Sequence, residues 1–245
     1  MDDQTLLIVG GAFFLAAFAK GITGLGFSTA CLPMLALAIG LKAALPLVIV
    51  PSLASNLIVM IESRRFGEAI RRFWMLLLFA IPGIALGLGL LAWLDQRHAA
   101  LALGLVLAAY ALFALRNPHL TLPPGWEKPL APVTGFLTGV FNGLTGSQVM
   151  PVLPYLMALR LDRDLFVQAI NCSFTFSSLV MAAGLSKIGL MTWETVAVSA
   201  GGLIPVYVGV TLGGFIRRRL DADIFRKLVL LMLLAGGAVL VARGV

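Results

Sequence analysis

Two short polar stretches interrupt apolar sequence and hold most of the residues able to do chemistry. The first runs Lys20-Gly21-Ile22-Thr23-Gly24-Leu25-Gly26, and the second Asn142-Gly143-Leu144-Thr145-Gly146-Ser147-Gln148. Glycine lets a backbone come close to a ligand and adopt positive φ. A helix starting just after each stretch would aim free N–H groups and its positive dipole end at that ligand. Thr23, Asn142, Thr145, Ser147 and Gln148 add side-chain donors, Lys20 adds a positive charge, and no carboxylate is present. Such a set favours an oxyanion. The competing reading is that Gly21, Gly24, Gly26, Gly143 and Gly146 let helices pack closely while Lys20 snorkels to an interface. Asn56 and Asn171 lie in later apolar runs, beside Pro51-Ser52 and Ser55 in one case and Cys172-Ser173 in the other. They either line the same site or make hydrogen bonds between helices.

The elements that must position these residues are membrane helices. Sixty per cent of the 245 residues are hydrophobic and 12% charged, against about 45–50% and about 25% in soluble proteins. A soluble chain of this size could not bury that much apolar surface in one core. The net charge of +7 fits basic cytoplasmic loops rather than nucleic-acid binding. Cys31 and Cys172 both fall in apolar runs, as small buried residues rather than a disulfide or metal site, and no cofactor is implied. The acidic start Met1-Asp2-Asp3 lacks the basic region of a secretory signal, so the first apolar run is expected to be retained.

Ten apolar segments follow one another, at 5–19, 24–40, 43–61, 74–94, 99–115, 131–141, 147–159, 166–185, 195–215 and 228–242. The third, fourth, eighth and ninth are long enough to cross a bilayer core of about 30 Å. The sixth and seventh reach only about 17–20 Å as helices, which predicts a re-entrant hairpin. The first two share the same tight, glycine-rich connection. With the N-terminus outside, thirteen basic residues fall on the cytoplasmic side, among them Arg64, Arg65, Arg71, Arg72, Arg160, Arg163 and the cluster Arg217–Lys227. The opposite face receives Lys42, Arg97, Lys187 and Arg243. The positive-inside rule therefore predicts a multi-pass protein with an outside N-terminus.

The halves echo each other. Gly21-Ile22-Thr23-Gly24 matches Gly143-Leu144-Thr145-Gly146, and Leu32-Pro33 matches Leu153-Pro154. Gly83, Gly87 and Leu94-Asp95 match Gly209, Gly213 and Leu220-Asp221. Five segments per half, an odd number, require the second half to insert upside down. The predicted fold is an all-α polytopic membrane protein, an inverted repeat of two five-segment halves, each beginning with a glycine-rich helical hairpin. Residues 1–115 form the first repeat, 116–130 a proline-rich cytoplasmic linker, and 131–245 the second repeat. Inverted repeats with interrupted segments point to a transporter with its site near the midplane.

Enzyme readings find little support. His98 and His119 sit in loops, so a membrane-embedded serine has no base. No Gly-Lys-Ser/Thr loop suggests ATP hydrolysis, and no His/Glu cluster offers metal ligands. All eleven acidic residues fall in loops or at segment ends, which disfavours proton coupling through a midplane carboxylate.

The chain resembles the sulfite exporter TauE/SafE permeases, also called the toluene-sulfonate uptake permease family. The resemblance rests on Phe18-Ala19-Lys20-Gly21-Ile22-Thr23-Gly24-Leu25-Gly26-Phe27 with Leu32-Pro33, and on Gly139-Val140-Phe141-Asn142-Gly143-Leu144-Thr145-Gly146. Gly83 and Gly87, with Gly209, Gly213 and Gly214, extend it over almost the whole chain. The second stretch departs from the family in Ser147-Gln148, where a further glycine is frequent. The resemblance implies a compact duplicated bundle, placed in the cytoplasmic (inner) membrane, that moves sulfite, sulfonates or other organic anions. The expected function is secondary transport of a small sulfur oxyanion by alternating access, with lipid and that anion as partners and no nucleic acid. The alternatives are an anion channel, or a scaffold or partner subunit whose small residues only pack helices. Oligomeric state is not encoded legibly.

Overall fold

The computed structural model describes residues 3–23, 26–116, 121–123, 125–217 and 222–244. Among them the secondary structure is helical, without strands. The first six helices are α1 (Asp3–Thr23), α2 (Phe27–Ile39), α3 (Leu41–Leu47), α4 (Ile49–Ser63), α5 (Phe66–Trp93) and α6 (Gln96–Arg116). The other six are α7 (Glu127–Thr145), α8 (Val152–Ala158), α9 (Arg163–Lys187), α10 (Trp193–Gly201), α11 (Leu203–Arg217) and α12 (Ala222–Gly244). Five apolar runs are long enough to cross a membrane: Gln4–Ile22, Phe66–Trp93, Gln96–Arg116, Arg163–Lys187 and Trp193–Ile216. A sixth exists if α3 and α4, bent by 43° at Val48, act as one span. The chain is thus a multi-pass integral membrane protein.

The bend falls inside the third segment expected at 43–61, and its cause is local. Pro51 has no N–H to return to the carbonyl of Leu47. The Ser199 hydroxyl of α10 donates to that carbonyl instead, at 2.6 Å. A backbone group freed inside the membrane is thereby satisfied by a neighbouring helix, as hydrocarbon surroundings require.

The apolar segment at 131–141 forms part of a longer helix, which is not among the runs long and apolar enough to cross a membrane. Residues Glu127–Thr145 form one helix of 19 residues, about 28 Å long. Gly143 reads as an interruption in sequence, but its spacing of four from Gly139, and of Gly139 from Gly135, puts all three on one face of α7. There they lie flush against α5: a Cβ on Gly143 would strike the Ile84 carbonyl, and one on Gly87 the Val140 carbonyl. Tertiary contact outweighs the poor helix propensity of glycine. The helix α1 likewise continues through Lys20 to Thr23, and Gly21 abuts Val210 and Gly213 of α11. Only α8, with seven residues, is as short as its segment suggested.

The resulting bundle pairs α1 with α11, α5 with α7, and α6 with α12, around a central contact of α4 with α9. Large apolar side chains cover the outer faces, including Leu78, Phe79, Leu86 and Leu90 of α5 and Ile204, Leu212 and Phe215 of α11. Trp74, Trp93, Trp126 and Trp193 are all exposed; Trp93, Trp126 and Trp193 sit at helix ends and Trp74 follows the break in α5 at Phe73, the placement of an interfacial aromatic belt. Along α5, Trp74 and Trp93 are separated by about 28 Å of helix, which matches a hydrocarbon core of about 30 Å.

Candidate functional site

Lys20 is the one charged side chain among the buried described residues, and it is fully buried. It sits in the last turn of α1, where the close approach of Gly21 to α11 presses the helix end into the bundle. Its ammonium donates to Oδ1 of Asn56 on α4 and, at 3.3 Å, to Oδ1 of Asn171 on α9. Asn171 in turn donates through Nδ2 to the Val167 carbonyl at 2.8 Å. Because an ammonium only donates, the contact fixes the Asn56 amide with its oxygen toward Lys20. The Asn56 nitrogen is then left buried and without a hydrogen-bond partner.

The two asparagines give the same depth. Each lies eight residues from a basic end, Asn56 from Arg64 and Asn171 from Arg163, about 12 Å along an α-helix. The Lys20 cluster is therefore well inside the span. No carboxylate is buried among the described residues. A buried charge normally has an ionic partner; here two neutral amide oxygens take that place.

Beside Asn56 lies a small cavity lined by Gly26, Phe27, Ser28, Thr29, Ser52, Asn56, Gln148 and Phe174. It leaves only about 10 Å³ for the centre of a water-sized sphere, room for about one water molecule. Gly26 caps α2 in the left-handed region at φ 72°, which only glycine adopts readily, so the α2 N-terminus opens on the cavity. The hydroxyls of Ser28 and Ser52 share a 2.5 Å hydrogen bond, and Gln148 Nε2 donates to Ser178 Oγ at 3.0 Å.

The structure thus brings Lys20, Asn56 and Asn171 into one cluster and sets Gly26 and Gln148 on the adjoining cavity. Other expected residues have different surroundings. Gly21 and Gly143 turn their bare faces to helix backbones. The Thr145 hydroxyl is engaged locally, donating to Phe141 O at 2.7 Å and accepting from the Ser147 amide. Gly146 ends α7 at φ 73° against Leu32 and Leu45. Asn142 Nδ2 and Ser147 Oγ are buried without a partner. The Thr23 side chain and Gly24 lie outside the described residues. Sequence reasoning did not single out Ser28, Thr29 or Phe174, whereas Ser178 was visible as the end of the polar run 175–178 that follows Asn171.

An ionic clasp joins the helices at the basic end. Arg65 reaches Asp162 at 2.7 Å and Glu68 at 2.5 Å, and its amide donates to buried Gln168 of α9. Arg72 of α5 grips Glu127 of α7 with both nitrogens, at 2.6 and 2.9 Å. The Leu165 amide, and then the Arg65 guanidinium, hold the Asp162 carboxyl below its ordinary range. A surface groove of about 390 Å³ is lined by Thr121, Leu122, Pro123, Gly125, Glu127 and Arg160 among others, remote in chemistry from Lys20.

A family model described as sulfite exporter TauE/SafE matches residues 9–240. No curated protein and no solved structure gives a significant match.

Proposed function

The chain belongs to the sulfite exporter TauE/SafE family of membrane transporters of sulfur anions, and on that premise we propose that it is a secondary transporter of sulfite or a small organosulfonate. The observation that carries the reading is the buried Lys20 ammonium, held by two amide oxygens with no buried carboxylate among the described residues. A cation so placed is a counter-charge waiting for an anion. Asn56 Nδ2, the Ser28–Ser52 pair, the α2 N-terminus and Gln148 supply neutral donors beside it. Asn142 and Thr145 lie in the last turn of α7 and Ser147 just beyond it, and the glycines permit the close packing that holds the ends of α1 and α7 in place.

Alternating access fits this arrangement. The cavity is too small for a sulfonate, which favours a carrier that closes over its substrate rather than an open channel. Residues 1–115 and 131–245 would be inverted repeats, with 116–130 as the cytoplasmic linker and the N-terminus outside the inner membrane. Supporting this, the matched glycines are also contact partners: Gly21 meets Gly213 as Gly143 meets Gly87. The same alignment makes Lys20 the counterpart of Asn142. One repeat rocking against the other would alternate the opening of the site, with the Arg65–Asp162 and Arg72–Glu127 clasp holding the basic side shut.

The test is counterflow of labelled sulfite in proteoliposomes. Saturable exchange, lost in Lys20→Met, is the expected result. Sulfite flux that rises linearly without saturation would support a channel, and no flux from folded protein would leave a scaffold.

A further inference from the structure

We propose that the Lys20 site is matched to a single negative charge, so that the protein accepts monoanions such as hydrogensulfite or a monosulfonate and discriminates against dianions of similar size such as sulfate. This rests on the anion-transporter reading and adds the valence of the substrate to it.

The argument is one of charge accounting in a low-dielectric interior. Lys20 supplies one positive charge, and no other lysine, arginine or histidine is buried among the described residues. The nearest basic residues along α4 and α9, Arg64 and Arg163, are about 12 Å of helix away. Arg65 and Arg72, at the same end, are already held by Asp162, Glu68 and Glu127. Every other group at the cluster or the cavity is neutral: Asn56, Asn171, Ser28, Ser52, Thr29 and Gln148. A monoanion on Lys20 leaves the interior with no net charge, whereas a dianion leaves one negative charge uncompensated. An uncompensated buried charge is costly unless it is paired.

Neutral donors can solvate the second charge but cannot cancel it. Among them only the α2 N-terminus carries a partial positive charge, and its effect is small beside that of a full ion. The unpartnered Asn56 nitrogen supplies the donor that an oxyanion on Lys20 would need. Asn56 thereby joins the two parts of the site, since its oxygen holds the cation and its side chain lines the cavity.

The experiment measures the melting temperature of purified protein against methanesulfonate and sulfate, two tetrahedral sulfur oxyanions of fixed and different charge at neutral pH. Binding to the folded state raises the melting temperature as ligand exceeds its Kd. Methanesulfonate is expected to stabilise saturably, with an apparent affinity at least tenfold above that of sulfate. Lys20→Met should abolish the shift. Asn56→Asp places a carboxylate on Lys20, so it should melt higher than the parent protein without ligand and lose the response to methanesulfonate. This second variant keeps the test decisive if Lys20→Met does not fold. Equal or tighter sulfate binding would overturn the charge match and leave the transporter reading standing. A methanesulfonate shift that survives both variants would overturn the placement of the site. Silence from both anions while labelled sulfite still exchanges would overturn the inference alone; silence together with no exchange would overturn the transporter reading as well.

Discussion

Lys20 and Asn171 are 151 positions apart, yet the ammonium of one donates to the side-chain oxygen of the other at 3.3 Å inside the bundle. With the bond from Lys20 to Asn56, this ties the end of α1 to the middle of both central helices. Movement of α1 and α11 against α9 must stretch or break the contact. Whatever replaces it, an anion above all, then sets which arrangement is favoured.

Asn171→Ala should therefore destabilise the resting protein and impair anion binding together. A hydrogen bond to a charged group contributes about 1.5–3 kcal/mol, and its loss leaves Lys20 with Asn56 as its one amide partner among the described residues. Thermal melting with and without methanesulfonate measures both effects. An unchanged melting temperature would mean that the 3.3 Å contact contributes nothing.

The glycines can be separated by what surrounds them. Gly143→Ala would drive a methyl group into the backbone of Ile84 and Leu88, and Gly21→Ala into Val210. Overpacking of this kind costs about 1–3 kcal/mol. Gly89, on the exposed face of the same α5, has nothing within 4 Å of an added Cβ. Gly89→Ala should be neutral or stabilising by up to about 1 kcal/mol through helix propensity. Comparable losses at Gly89 and Gly143 in a melting series would contradict the packing assigned to Gly143.

The clasp gives a pH signature. Asp162 is held below its ordinary range by the Leu165 amide and by Arg65. A carboxylate with a depressed folded pKa contributes stability that is complete above its unfolded pKa and is lost as pH falls through the folded value. Asp162→Asn keeps an oxygen to cap Leu165 but cannot pair with Arg65. It should melt lower than the parent protein at neutral pH and show a flatter acid limb. If the clasp also holds the basic side shut, the same variant should speed labelling of a cysteine placed at Ser178 by a membrane-impermeant thiol reagent. Identical acid limbs would remove Asp162 from the account.

Much of the site was legible because polar residues stand out in apolar helices. Lys20, Asn56 and Asn171 fall in or beside short polar interruptions of long hydrophobic runs, and burial in the membrane leaves them few roles other than pairing with one another. The serines were less visible, since a hydroxyl can satisfy itself on its own helix and Ser28, Ser52 and Ser178 gain meaning only from partners far along the chain. Gln168 lies near a segment end and drew no reading, but it is buried and accepts a hydrogen bond from the Arg65 amide. The glycines misled about helix ends. Gly135, Gly139 and Gly143 carry low helix propensity in any sequence scale, and only the facing backbone of α5 explains why α7 continues through them. The bend at Val48 had a visible cause in Pro51, but its direction depends on Ser199, 152 residues from Leu47.

Gln148 should set the size of the anion. It lines the cavity opposite Ser28 and Ser52, and its amide nitrogen is anchored on Ser178 at 3.0 Å. Its side chain fills space at the cavity that a glycine would leave open. Gln148→Gly would remove that volume and free Ser178, whereas Gln148→Glu would keep the volume but place a negative charge where an anion must approach. The first variant should accept bulkier sulfonates, with taurine or benzenesulfonate competing against labelled sulfite more strongly than in the parent protein. The second should lose sulfite exchange at least tenfold while remaining folded, because a like charge near the substrate opposes binding even when the shape is unchanged. Competition and exchange in the same proteoliposomes separate the two effects. If both variants behave like the parent protein, the substrate does not pass Gln148, and the site must be assigned to Lys20, Asn56 and Asn171 without the cavity beside them.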